Sequence, residues 1–275
     1  MLNEIEYLKE AVKPDTRAPD PTRISVTQLS DSPLIRTLWL ENYDKIEQEP
    51  EDMLWALYGT ALDTIVKRHN KTGMVDLKLE LPFENYTIVG KPDIFYPSTG
   101  LLVDVKTTSV WTLKNPRKEW TYQLNCYKYL MERLMPELKV EKLQIHGIAR
   151  DWRKNEKLRY HDYPSSAFVI IDIPIWEDME KVIDADIKRH TKFPREECTD
   201  EEKWTKPTTF ALKKEGRKTA IKVENTKEQL MSYCQKNNIV IDGNHYIEER
   251  PGECVRCLNY CQVSSFCKYC PKKEK

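Results

Sequence analysis

The chain lacks a long hydrophobic run: nothing in its 275 residues approaches the roughly eighteen consecutive apolar residues of a membrane-spanning helix. It also lacks net charge, with 44 basic residues against 44 acidic ones. Any polyanion must therefore be held by local basic patches and not by the molecule as a whole. No cysteine precedes Cys126, and five of the eight stand between Cys254 and Cys270. In a reducing compartment such clustering reads as metal binding and not as a disulfide framework. The start, Met1-Leu2-Asn3-Glu4-Ile5-Glu6, is acidic and unlike a signal peptide. The expectation is a soluble protein of the cytoplasm, or of a host's cytoplasm if viral, with no membrane partner. Its length suits one large domain, or a domain with a small appendage.

The stretch from Gly90 to Thr108 organises the rest. Ile94 to Tyr96 and Leu101 to Val105 are β-prone runs, and Pro97-Ser98-Thr99-Gly100 between them is turn chemistry, so the spacing predicts a β-hairpin. Asp104 and Lys106 leave one face of the second strand while Val103 and Val105 leave the other, giving a charged face and a buried apolar one. Asp93, just before the first strand, converges on the charged face. Two carboxylates crowded beside an ammonium suit a divalent cation, and hard oxygen donors of this kind point to magnesium or manganese.

Pro92, Asp93, Asp104 and Lys106 resemble the signature of the PD-(D/E)XK nuclease superfamily. Further on, Gln123 and Tyr127 share one face of a helix predicted over Thr121 to Met135. A Gln-x-x-x-Tyr helix in that place resembles the RecB-like branch, which includes recombination exonucleases and CRISPR-associated exonucleases. Gly59-Thr60-Ala61-Leu62-Asp63 resembles that branch's Gly-x-x-x-His helix with Asp in place of His, and Ser25-Val26-Thr27-Gln28-Leu29 its opening segment. The resemblance covers residues 24–193. It implies an α/β fold with a restriction-endonuclease-like core, a central mixed sheet of about five strands flanked by helices. It also implies a catalytic set of Asp93, Asp104, Lys106, Gln123 and Tyr127. The magnesium ligands would be Asp93, Asp104 and the Val105 carbonyl, with Asp63 or Glu80 as outer acid. Each of those two is open to a second reading, as a solvated surface acid.

Around this centre the pattern predicts further elements. A short helix is expected over Asn3 to Val12 in a lead-in of residues 1–23. Further helices are expected over Pro33 to Tyr43, capped by Thr27 or Ser30, and over Met53 to His69, where His69 lies on the surface. Val75 to Pro82 alternates as one half-buried strand. Lys142 to Arg150 and Ala167 to Ile173 read as strands, and Trp176 to His190 as a helix. Ser109 to Trp120 is expected as a loop in which Trp111 and Trp120, interleaved with Lys114, Arg117 and Lys118, stack bases and meet phosphates of a single strand. Thr107 and Thr108 extend the active strand toward phosphate oxygens.

Residues 194–275 form a C-terminal extension: a linker from Pro194 to Lys206, a basic hairpin turning at Gly216, a helix over Thr226 to Lys236 and a strand from Asn244 to Glu248. A cysteine module at 254–270 closes it. Cys254, Cys257, Cys267 and Cys270 have the spacing of a structural zinc site. Cys257, Cys261 and Cys267 resemble instead the cysteine triplet of iron–sulfur RecB-like nucleases, although Ser32-Pro33 stands where their early cysteine is usual. Zinc is the reading taken, with a 4Fe–4S cluster as the alternative. Cys126, Cys198 and Cys234 read as packing residues.

Together these imply a metal-dependent DNA exonuclease acting on ends or single strands in recombination, repair or phage replication, with a helicase or recombination partner. A non-catalytic DNA-binding scaffold and a structure-specific endonuclease are the alternatives.

Overall fold

The computed structural model describes residues 18–47 and 50–271. The helix expected over Asn3 to Val12 lies outside them. The chain divides into two compact units, Met1–Arg195 and Glu196–Lys275.

The first unit opens with β1 (Arg23–Ser25), α1 (Val26–Leu29), α2 (Pro33–Asn42) and α3 (Pro50–His69). The Ser25 hydroxyl and the Gln28 side chain satisfy each other's backbone N–H groups in a capping box over α1. The N-cap of α2 is Ser32, followed by Pro33 at the favoured first position, and not Thr27 or Ser30. The strand expected over Val75 to Pro82 is two strands, β2 (Met74–Val75) and β3 (Leu79–Phe83). Asp76 between them adopts φ 56°, a left-handed turn that no extended strand accommodates.

The hairpin forms from β5 (Ile94–Tyr96) and β6 (Leu101–Thr108), preceded by β4 (Tyr86–Gly90). Phe95 pairs with Leu102 across it. Gly100 turns the chain at φ +62°, where an added Cβ would stand 2.9 Å from the Lys139 carbonyl oxygen. Two helices, α4 (Val110–Lys114) and α5 (Lys118–Leu134), then lead to β7 (Lys142–Ala149), which pairs with β6 in parallel. The short α6 (Lys154–Arg159) interrupts the next connection before β8 (Phe168–Ile173), and α7 (Met179–Thr191) closes the unit. The result is a mixed five-stranded sheet in the order β2-β5-β6-β7-β8, with a three-stranded sheet β1-β4-β3 beside it.

Trp120, Leu124, Tyr127 and Met131 fall on successive turns of α5 and are buried, so this helix lays an apolar stripe onto the core. There it meets Leu102 and Ile145 from the sheet and Ile183 and Ile187 from α7. Its buried polar residue is satisfied: the Asn125 amide donates to the Thr121 and Pro174 carbonyls at 2.8 and 3.0 Å, and its oxygen accepts the Trp176 N–H at 2.8 Å.

His190 is buried at the end of α7, and its Nε2 donates to the Leu29 carbonyl at 3.2 Å. Burial pushes the imidazole down to about 4 from 6.5. The unfolded chain therefore binds a proton that the folded one refuses, and stability present above pH 6.5 is lost as pH falls toward 4. The loss is up to roughly 3 kcal/mol at about 1.36 kcal/mol per unit. Urea melts at pH 7 and pH 4.5 should register it, and His190→Gln should flatten the dependence; equal losses in the two proteins would acquit this ring.

In the second unit, β9 (Thr205–Lys206), β10 (Thr209–Lys214), β11 (Lys222–Glu224) and α8 (Lys227–Lys236) are followed by β12 (His245–Arg250), β13 (Glu253–Cys254) and α9 (Val255–Asn259). The basic hairpin is β10 and β11, joined through Gly216 at φ +74°, and β12 pairs on the other edge of β10. Thr226 and Gln229 form a capping box that starts α8. Leu230 and Cys234 of that helix pack on Leu212 in a small core of their own.

Candidate active site

The second strand of the hairpin, the approach to the first, and two helices contribute to one open cleft of about 350 Å³. Asp63 and Thr60 come from α3, Asp93 from the approach to β5, and Asp104, Lys106 and Thr107 from β6; Gln123 reaches in from α5. Asp93 is fixed at both oxygens: Oδ2 accepts the Val105 N–H at 2.8 Å, and Oδ1 lies 2.9 Å from the Lys67 ammonium.

Asp104 is 3% exposed, so on the charged face of β6 this acid is itself buried while Lys106 stays partly open to the cleft. Burial pushes its carboxyl up to about 6, against the pull of Lys106 and with a further push from Asp93. Its Oδ2 lies 2.7 Å from Lys106 Nζ, yet without the alignment of a hydrogen bond. Lys106 Nζ donates instead to Gln123 Oε1 at 3.0 Å, and Gln123 Nε2 donates to the Tyr127 hydroxyl oxygen at 2.8 Å. Burial holds the Tyr127 phenol up to about 12, so it stays protonated at neutral pH. The helical spacing of Gln123 and Tyr127 thus becomes a relay ending on the ammonium.

Other expected residues stand elsewhere. Glu80 binds Arg23, 2.6 Å away, and is not among the residues lining the cleft. Thr108 is not among them either, whereas Thr107 is. Trp120 is 8% exposed inside the core and is no base platform, because residues 118–120 belong to α5. The expected loop also contains α4, capped by Ser109, which leaves Trp111 71% exposed. Lys114 is ion-paired with Asp162, and Arg117 and Lys118 are exposed.

Two features escaped the sequence reading. Lys67, four residues after Asp63, inserts its ammonium between the acids, 2.9 Å from Asp63 Oδ2; the i,i+4 spacing was the signal. On α3, Leu54, Leu57, Tyr58 and Ile65, which recur at helical spacing, are exposed, as is Trp55. Trp55 meets Tyr58 edge-on, with centroids 6.3 Å apart, and the Arg150 guanidinium lies 3.8 Å over the Trp55 ring.

Among the described residues, no three His, Cys, Asp or Glu side chains converge as a ready metal cage. The cleft's donor set nonetheless fits a hard divalent cation. Asp63 Oδ1 and Asp104 Oδ2 are buried oxygens that accept no aligned hydrogen bond among the described residues, although the Lys106 ammonium lies 2.7 Å from Asp104 Oδ2; buried oxygens without a directed donor cost free energy that a hard cation would offset.

In the second unit, Cys254 pairs with Thr205 between β13 and β9, and the Cys270 thiol lies 3.6 Å from the Cys257 carbonyl oxygen. Burial pushes the Cys257 thiol up to about 11, with the neighbouring Cys270, Cys254, Cys261 and Cys198 adding to it. Burial also raises Cys261, and Cys198 acts on it too. Cys198, read from the sequence as a packing residue, is only half-buried. Cys126 and Cys234 are buried.

No protein-family model matches the chain, and no curated protein does. Among solved structures, the crystal structure of SSO0001 superposes with a TM-score of 0.50 at 16% identity, over 72% of this chain and 88% of that one. That likeness shows a shared mixed α/β fold and nothing of activity. A structure from Eubacterium rectale, named "putative exonuclease", is similar at a TM-score of 0.28 and 12% identity, over 58% of this chain and 59% of that one. This second likeness is too slight to argue from.

Proposed function

We propose that the first unit is a metal-dependent deoxyribonuclease of the RecB-like PD-(D/E)XK kind, hydrolysing phosphodiester bonds at DNA ends or in single strands. The observation that carries this reading is buried Asp104, with an undirected oxygen, beside Asp93 and the Lys106–Gln123–Tyr127 relay. Burying a carboxylate without a directed donor is costly, and hydrolysis gives it a use.

Asp93, Asp104, Asp63 and the Val105 carbonyl would hold magnesium or manganese, which when bound polarises the scissile phosphate and lowers the pKa of a water. Lys106, aimed by Gln123, orients that water and offsets the charge that develops on the phosphate. Tyr127 fixes the Gln123 amide in one orientation. Thr107 offers a hydroxyl to a phosphate oxygen. Exposed Trp55, Tyr58 and Trp111 provide ring faces for unstacked bases, and Lys114, Arg117 and Lys118 meet phosphates, which favours a single strand over a closed duplex.

In the second unit, the small size of the core around Leu212, Leu230 and Cys234 supports a structural metal at the cysteines, since a unit of this size needs a staple. Four of Cys254, Cys257, Cys261, Cys267 and Cys270 would bind zinc, with a 4Fe–4S cluster as the alternative. A role in recombination, repair or phage replication, beside a helicase, accompanies this reading.

The test is incubation of purified protein with magnesium and end-labelled single- and double-stranded DNA, with Lys106→Ala as control. Magnesium-dependent degradation lost in the variant is expected, and the label-release pattern gives polarity. Cleavage of circular single strands would reassign the protein as an endonuclease. Tight binding with no cleavage would favour a scaffold. Visible absorption near ~400 nm in the same preparation separates a cluster from zinc.

A further inference from the structure

We infer that Lys67 is a built-in cation of the cleft, filling one of two cation positions among the acids, so that the site takes a single divalent ion, on the Asp104 side. This rests on the metal-dependent reading above. The ammonium of Lys67 lies 2.9 Å from Asp63 Oδ2 and 2.9 Å from Asp93 Oδ1, and its side chain is only 10% exposed. A surface lysine would keep its head in water; this one bridges two carboxylates that line the cleft, with Asp76 Oδ1 a further 3.5 Å away. Its geometry is fixed by α3, because a residue four positions after Asp63 stands on the same helical face.

Charge balance argues the stoichiometry. Asp63, Asp76, Asp93 and Asp104 are faced by Lys67, Lys91 and Lys106, which leaves the fully ionised group one negative charge. One divalent ion changes that to one positive charge, which a DNA phosphate neutralises. A second ion would leave three positive charges in a partly buried space, and Coulomb repulsion at such range is strong. The ion's place follows from the oxygens that remain. Asp104 Oδ2, 2.7 Å from Lys106 Nζ but not aligned with it, and Asp63 Oδ1 have no directed donor, whereas Asp63 Oδ2 and Asp93 Oδ1 are engaged by the Lys67 ammonium. A lysine in that position also explains how Asp replaces the family's usual His at position 63: the added negative charge is matched from the next turn of the same helix.

The test counts bound Mn²⁺ by electron paramagnetic resonance and titration calorimetry on the full chain. Wild type should bind one ion, lost in Asp104→Asn. Lys67→Met should bind two, or bind the first at least tenfold more tightly. Since Lys67→Met leaves two acids unpaired, Lys67→Met with Asp63→Asn serves as the folded control and should show the same tighter first ion. In EDTA, Lys67→Met should melt below wild type, and Mn²⁺ should restore more of its melting temperature than it adds to wild type. Two ions in wild type, or unchanged binding in both variants, would overturn the inference while leaving the nuclease reading standing. No Mn²⁺ bound by wild type would overturn both.

Discussion

Replacing Asp104 by asparagine is expected to abolish DNA cleavage, a loss on the order of 10³-fold or more, while the metal-free protein melts no lower than wild type. The two halves of this result come from one fact. The carboxyl is buried, and burial disfavours its charged form. An amide of the same shape removes that cost, and Lys106 keeps its bond to Gln123 Oε1. The charge that the fold tolerates with difficulty is the one that would bind a cation and face the phosphate. Cleavage assays with magnesium, paired with thermal melts in EDTA, check both halves. A folded Asp104→Asn protein that still cuts DNA would sink the assignment.

Leu124→Ala should give the largest loss of stability among substitutions that leave the cleft's own side chains intact. Leu124 is fully buried on α5, between Gln123 and Asn125, in the core that joins this helix to the sheet. Large-to-small changes at such sites cost about 2–5 kcal/mol, because the lost transfer energy is joined by that of the cavity. For a unit of this size that lowers the melting temperature by roughly 5–15 °C. Calorimetry measures it. A fall under about 2 °C would mean that α5 is held to the sheet by something other than this stripe.

The hairpin and α5 were legible because their signals are local. Turn residues between two β-prone runs define β5 and β6, and a clear 3.6-residue period defines α5. What was missed depends on contacts distant in sequence or on single backbone angles. The break between β2 and β3 turns on one left-handed residue, Asp76, in an otherwise good alternation. The helix α4 is too short for periodicity to declare it. Trp120 reads as an aromatic in a basic loop until the start of α5 turns it inward. Glu80 looked available to the cleft until Arg23, 57 residues earlier, took both of its oxygens. Lys67 carried a visible spacing to Asp63, but its reach to Asp93 depends on α3 lying against the sheet.

The parallel pairing of β6 with β7 also orders events in time. Across the hairpin, β6 meets a partner that the chain has only just made, whereas on its other side Asp104 stands opposite Ile145. That second edge closes only after the crossover carrying α4 and α5 has been synthesised and docked, and closing a long loop is slower and entropically dearer than closing a turn. A partly made chain therefore holds the acids without the enclosure that sets their chemistry. The working arrangement arrives late in folding, together with the core that secures it.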